Sequence, residues 1–361
     1  MSLSESLFIF FLSLLISLVS VPLWILVAQW INLVDRPAPE KIHRQPVPTG
    51  GGAVLVMVFF VILWAVFLFQ GDAFPMKINS LIGLTLAGLL MFCVGIYDDM
   101  KGCSVQAKFF FQIMAAAIIC SFGLNIEMLT NPFGDSFSLG FITVPVTIFW
   151  VVLVINAVNL IDGMDGLATG IIFISAATIS VLSYKFGEVE MLAPFLILAG
   201  STLGFLRHNF PPARVFLGDT GSMFLGLMMA SLSLLSNRKG TVIATLLLPI
   251  ILMTVPLVDT VIAFFRRFFG RVSPFQKDTR HLHHRLLALG LSQKKVALFF
   301  YLICVYLSLT AVVLSLMPKQ YAFLVLLILA VGILIAIESL NFVEKRLKEE
   351  GRGEGKMNIE R

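Results

Sequence analysis

Long stretches without a single charged residue constrain this chain more than any other feature. Eleven of them occur, at 6–34, 45–71, 78–97, 109–126, 136–161, 166–184, 191–206, 220–237, 240–258, 296–318 and 320–337. A helix needs about 20 predominantly apolar residues to cross a hydrocarbon core about 30 Å thick. Hydrocarbon offers no partner to open backbone groups, so each interval is expected to be helical. Composition points the same way: 58% of the 361 residues are hydrophobic and 13% are charged, about half the charge of a soluble domain. Disordered, collagen-like and disulfide-framework classes fall away, with 33 Phe, no glycine period and four Cys lacking CxxC spacing. The first interval follows Glu5 and has no basic start, so it reads as a span rather than a secretory signal. The expectation is an all-α polytopic membrane protein with about eleven transmembrane helices. One domain covers 1–341, and a basic cytoplasmic tail covers 342–361.

Positive charge sets the orientation. With eleven spans, 21 of the 26 Lys and Arg fall on one side, including Arg36, Arg44, Lys101, Lys108, Arg207, Arg214 and the tail; Lys77, Lys185, Arg238, Lys239 and Lys319 fall on the other. The N-terminus is therefore expected outside and the C-terminus in the cytoplasm. On the outer side, alternating residues flank Asn131-Pro-Phe-Gly-Asp135, which predicts a short hairpin within 124–140. All five His and most Asp collect at the cytoplasmic face, so the site is expected to be built from the cytoplasmic connections.

Four polar segments at that face carry chemistry. Asp98-Asp99 is read as opening the second cytoplasmic connection; adjacent carboxylates repel unless a cation or a shared proton separates them. A hard cation such as Mg²⁺ takes oxygen ligands, commonly one or two carboxylates plus substrate phosphates; a solvated pair marking a helix end is the plainer reading. Next comes Asn156-Ala-Val-Asn159-Leu-Ile-Asp162-Gly-Met-Asp165-Gly166. Polar groups inside a bilayer edge are expensive and usually functional, and the two Gly let a turn wrap a ligand. The segment from Arg207 through Asn209 and Phe216 to Gly218-Asp219-Thr-Gly-Ser222 offers a carboxylate, a hydroxyl and backbone N–H groups before a helix, which suits phosphate and its metal. Simple capping by Asp or Ser would explain one of these residues but not the set. Arg280-His281-Leu-His283-His284-Arg285 forms a cationic cluster suited to a diphosphate. Zinc is disfavoured, because no Cys or Glu stands at ligand spacing. Together these groups suit phosphoryl transfer from a soluble diphosphate donor to a lipid acceptor, which runs on positioning and charge neutralisation.

Asp98-Asp99, Asn159-Leu-Ile-Asp-Gly-Met-Asp-Gly-Leu, Phe216-Leu-Gly-Asp-Thr-Gly-Ser and His281-Leu-His-His resemble the motifs of the polyprenyl-phosphate N-acetylhexosamine-1-phosphate transferases. The resemblance covers nearly the whole chain and is closer to the WecA/TagO branch than to MraY, which has three consecutive His at the last motif. It implies a UDP-N-acetylhexosamine donor, UDP-GlcNAc first, and undecaprenyl phosphate as acceptor. The products would be undecaprenyl-diphospho-GlcNAc and UMP. Mg²⁺ would be required, and whether Mn²⁺ is tolerated stays open. By the same likeness Asp219 is the leading metal ligand, with Asp98 and Asp99 as base or further metal contact. Asn209 would touch the phosphates, while Asp162, Asp165 and Phe216 would line the uridine pocket. Asn159 would serve nucleoside or sugar hydroxyls, and Arg280, His281, His283 and His284 would face the diphosphate or sugar. Arg44 lies in His43-Arg-Gln-Pro-Val-Pro-Thr-Gly-Gly-Gly52, which matches the family's first cytoplasmic loop.

The mechanism expected is direct attack of the lipid phosphate on the donor's β-phosphorus after Asp98 or Asp99 removes its proton, against a rival route through a covalent phospho-enzyme. The implied setting is a bacterial inner (cytoplasmic) membrane, as the first membrane step of a surface polysaccharide or teichoic acid. Nucleic acid is not expected as a partner. A homodimer stays open, since no Gly-xxx-Gly stripe stands out. The competing class is an ion-coupled transporter with a cytoplasmic-face acidic site. That class favours mid-membrane ionisable groups and related halves, whereas these acids lie at one face and no repeat is visible.

Overall fold

The computed structural model describes residues 1–37, 45–71, 74–129, 137–235 and 282–317, with scattered positions between 250 and 338. Helix α1 (Leu3–Trp30) starts in a capping box, the Ser2 hydroxyl accepting from the Glu5 N–H while the Glu5 carboxylate accepts from the Ser2 N–H. A two-residue pair follows, β1 (Val34–Asp35) antiparallel to β2 (Val47–Pro48), with Val34 opposite Pro48. Then come α2 (Gly52–Gln70), α3 (Ile78–Lys101) and α4 (Val105–Ser121), whose start is capped by the Ser104 hydroxyl. Within 124–140, β3 (Met128–Leu129) pairs antiparallel with β4 (Phe137–Ser138), and the residues between them lie outside the described ones. After a 3-10 turn at Gly140–Ile142 come α5 (Thr143–Ile161), α6 (Leu167–Phe186), α7 (Val189–Asn209) and α8 (Gly218–Leu232). Short α9 (Leu282–Ala288) and long α10 (Gln293–Leu316) follow.

Among the described residues, seven helical segments are long and apolar enough to cross a membrane: α1, α2, α3, Gly140–Ile161, α6, α7 and α10. The chain is a polytopic helical membrane protein. The intervals 109–126 and 220–237 hold α4 and α8, of 17 and 15 residues, both short for a full crossing. Most of 240–258 and 320–337, and the tail 342–361, lie outside the described residues.

Helix α8 is the axis of the bundle. Every residue from Thr220 to Leu232 is buried, as expected of a helix apolar on all sides. It packs between α3 and α5, with α2 against a further side. Outside this centre, α1 lies along α7, α7 along α6, and α10 along α6, while α4 bridges α3 and α5. Lipid removes the hydrophobic drive between spans, so close packing of small residues and interhelical hydrogen bonds must hold them together. On α1, Ser6, Ser13 and Ser17 are buried while Phe8, Phe11, Leu15 and Leu23 are exposed. The Ser17 hydroxyl donates to the Ser201 carbonyl of α7 at 2.7 Å. Trp64 of α2 donates to the Thr85 hydroxyl of α3 at 3.1 Å.

Two local expectations change. Asp98 and Asp99 do not open a connection, because α3 runs on through them to Lys101. Gly218 to Ser222 do not precede a helix; they form the first turns of α8. Both shifts have one cause. The end of α3 and the start of α8 satisfy each other through space, so neither needs a loop to cap it.

Candidate active site

The C-terminal ends of α3 and α5 and the N-terminal ends of α4 and α8 meet at one end of the bundle, and their polar groups converge. Asp99 supplies the cap that α8 lacks in its own sequence. One of its oxygens accepts from the Asp219 N–H at 2.9 Å; the other accepts from the Thr220 N–H at 3.1 Å and the Thr220 hydroxyl at 2.6 Å. A carboxylate here also opposes the positive end of the helix dipole. Gly218 makes room for it: the residue has φ +72°, and a Cβ would overlap the Asp99 carboxylate. The same close approach recurs where a Cβ on Gly95 would overlap the Thr220 backbone, and one on Gly52 the Gly221 backbone.

Asp98, one residue earlier, turns to the centre of the site. Its carboxylate pairs with the Lys108 ammonium at 2.6 Å, and the same ammonium pairs with Asp219. The three side chains are 11%, 21% and 23% exposed, in the order Asp98, Lys108, Asp219. Asn159 of α5 donates to Asp219 at 2.6 Å and to the Ser222 hydroxyl at 2.9 Å. One turn deeper, Asn156 donates to buried Gln112 at 2.7 Å, joining α5 to α4 beneath Asn159 and Lys108.

The turn after α5 carries the next acids. Burial, together with the negative charge of Asp219, Asp99 and Asp165, holds the Asp162 carboxyl well above the usual carboxylate range. Asp165 accepts from the Ala213 N–H at 2.9 Å, tying this turn to the segment between α7 and α8. That segment is itself docked on the first connection: the Phe216 N–H donates to the Pro48 carbonyl at 2.8 Å, and Gly51 and Gly52 donate to the carbonyls of Phe216 and Leu217 at 3.0 Å each.

The structure therefore brings Asp98, Asp99, Asn159, Asp162 and Asp219 into one cluster, with Asp165 and Phe216 at its rim. Asn209 does not join them. It is 2% exposed, accepts from the Thr169 hydroxyl at 2.8 Å and donates to the Val215 carbonyl at 2.9 Å, so it braces the turn before α8. Arg44, Arg280 and His281 lie outside the described residues, as do the side chains of His283 and His284, whose backbone belongs to α9. Lys108 is the member that motif reading passes over. Its signal is a lone Lys in the first turn of an apolar helix, where a cation meets the unfavourable end of the dipole and needs a through-space partner.

Residues 81–237, which hold every member of the cluster, match the family model described as glycosyl transferase family 4. Across 340 residues the chain is 36% identical to a Bacillus subtilis (strain 168) protein named "probable undecaprenyl-phosphate N-acetylglucosaminyl 1-phosphate transferase", covering 94% of this chain and 93% of that one. The chain belongs to glycosyl transferase family 4. Within it, an undecaprenyl-phosphate alpha-N-acetylglucosaminyl 1-phosphate transferase of Yersinia pestis is 29% identical over 299 residues, 80% of this chain and 78% of its own. A phospho-N-acetylmuramoyl-pentapeptide-transferase of Streptococcus equi subsp. equi (strain 4047) is 29% identical over 275 residues, covering 71% and 79%. The family-4 likeness thus takes in both branches named by sequence, and the full-length match lies with the N-acetylglucosaminyl one.

Proposed function

We propose that this chain transfers GlcNAc-1-phosphate from UDP-GlcNAc to undecaprenyl phosphate, giving undecaprenyl-diphospho-GlcNAc and UMP at the cytoplasmic face of a bacterial inner membrane. The observation that carries this reading is the convergence of Asp98, Lys108, Asp219 and Asn159 at one end of a buried helix. The near full-length relative named for this reaction supports it. Acids gathered at one end of the bundle speak against a transport path through its middle.

Mg²⁺ fits the donor set. Asp98 and Asp219 converge on a single cationic group, here the Lys108 ammonium, and carboxylate oxygens are what a hard divalent ion takes. Among the described residues no group of three His, Cys, Asp or Glu stands ready as a complete site, so diphosphate oxygens and water would fill the shell, as is usual for this ion. Asp219 would hold it, Asp98 being the base and Asp99 already spending both oxygens on the start of α8. Its chemistry would be neutralisation of the diphosphate.

The chain's own groups then have these tasks. Asp98 takes the proton of the lipid phosphate, whose oxygen attacks the β-phosphorus of the donor. The bond from that phosphorus to the bridging oxygen breaks, and the oxygen leaves with UMP. Lys108 offsets the negative charge gathered there. Asn159 holds Asp219 in place, and the turn at 162–166 receives the nucleoside. The eleven-span topology with an outer N-terminus belongs to the same proposal.

The test uses purified protein in detergent with undecaprenyl phosphate, Mg²⁺ and radiolabelled UDP-GlcNAc. Label entering the lipid phase, UMP released in step, and loss of both with EDTA are the expected result. Label only from another UDP-hexosamine would change the sugar. Silence of folded protein with every UDP-sugar would overturn the reading.

A further inference from the structure

Helix α10 lies beyond the matched segment 81–237, yet one of its side chains reaches the nucleotide side of the site. The Tyr301 hydroxyl donates to the Gly166 carbonyl at 2.7 Å. Gly166 ends the acidic turn and begins α6 in a left-handed conformation, φ +70°, and its carbonyl also accepts the first helical bond, from the Gly170 N–H at 2.9 Å. The phenol ring fits where Gly170 has no side chain; a Cβ there would overlap the ring and its hydroxyl. On its other side the ring meets Phe210, with centroids 6.5 Å apart, and the Lys294 ammonium stands 6.0 Å from the Phe210 ring.

Gly163 and Gly166 give the turn backbone freedom at its ends, while Met164 between them is anchored in the core. Two hydrogen bonds tie the turn's later half to neighbouring segments: Asp165 to the Ala213 N–H on one side, Tyr301 to the Gly166 carbonyl on the other. We infer that Tyr301 is a positioning residue that clamps the 162–166 turn against α10 and so sets the affinity for the UDP moiety of the donor. The inference rests on the transferase reading and deepens it. Tyr301 touches no reacting atom; it acts through the backbone that carries Asp162 and Asp165.

The experiment compares wild type with Tyr301→Phe, which keeps the ring and removes the hydroxyl. KM for each substrate, the melting temperature and UDP binding by calorimetry are measured on the full-length protein with Mg²⁺. KM for UDP-GlcNAc and the dissociation constant for UDP are expected to rise about three- to tenfold, the change one net hydrogen bond carries. KM for undecaprenyl phosphate should stay at the wild-type value, and the melting temperature should fall by no more than the few degrees that one lost hydrogen bond costs. Gly170→Ala, which displaces the ring while leaving the hydroxyl, should repeat the selective rise. An unchanged donor KM in Tyr301→Phe overturns the role, and so does a parallel rise in both KM values. Wild type that turns over no UDP-sugar counts against the transferase reading itself, a result distinct from active wild type with an indifferent Tyr301→Phe.

Discussion

Lys108 places one ammonium between the carboxylates of Asp98 and Asp219. Lys108→Met leaves those carboxylates facing each other in a partly desolvated site. Breaking a buried pair costs about 3–5 kcal/mol; with Lys108 21% exposed, solvent screening lowers the expectation to about 1–3 kcal/mol. Mg²⁺ should recover most of that loss, so the variant's melting temperature should climb more than wild type's on going from EDTA to Mg²⁺. Equal climbs would remove Lys108 from its counter-ion role. The neighbouring acids should separate by function. Asp99→Asn removes a cap from α8 and should cost about 1 kcal/mol, whereas Asp98→Asn should abolish turnover with melting near wild type; the reverse pattern in paired melting and turnover assays would refute the division. Asp162 supplies a pH signature. Its folded-state pKa lies above the unfolded value, so the folded chain holds the extra proton, and the contribution of this group to stability falls as pH rises through that window. In EDTA, wild type should therefore lose more stability than Asp162→Asn as pH rises above the ordinary aspartate range. Parallel melting curves would contradict the assignment.

At the scale of elements, α8 is held where glycines let backbones touch. Gly95→Ala would drive a methyl into the Thr220 backbone, and overpacking of this kind costs about 1–3 kcal/mol. The shift falls on the first turn of α8, so turnover should drop by more than about tenfold, since misplacement by about 1 Å can cost a hundredfold. Wild-type turnover in Gly95→Ala would show that the α3–α8 contact does not set the site. The sequence reveals these elements unevenly, for physical reasons. Apolar intervals map onto helices because water and lipid sort residues by charge; α5 ends at Ile161, where interval 136–161 ends. Helix ends are less legible. Asp98 and Asp99 break the apolar run, yet α3 continues to Lys101 because Lys108 and the start of α8 receive their charges. Motif spacing picks out Asp219, Asn159 and Asp162 as a set. It hides Lys108, Gln112 and Tyr301, which are ordinary residues of apolar helices until folding places them, and it assigns buried Asn209 to a ligand when its partners are Thr169 and Val215.

For the whole molecule, the decisive property is sidedness. The cluster shares its end of the bundle with exposed Lys101, Arg207 and Arg214, whereas exposed Lys77 and Lys185 mark the opposite ends of α3 and α6. Cytoplasmic connections retain Lys and Arg, so the proposed orientation would set the acids where a nucleotide sugar is available and the β3–β4 pair outside. In a cysteine-free background, Lys77→Cys and Lys185→Cys should react with a membrane-impermeant maleimide added to intact cells. Lys101→Cys and Arg207→Cys should react only after the membrane is opened. These positions lie at both ends of α3 and near both ends of the α6–α7 pair, so the test does not depend on counting every span. The reverse labelling pattern would put Asp98, Lys108 and Asp219 on the outer face, where no UDP-sugar reaches them, and the proposed reaction would fall with the orientation. Labelling of both sets in intact cells would refute a single fixed topology, because one bundle cannot present both ends of α3 to the same solution.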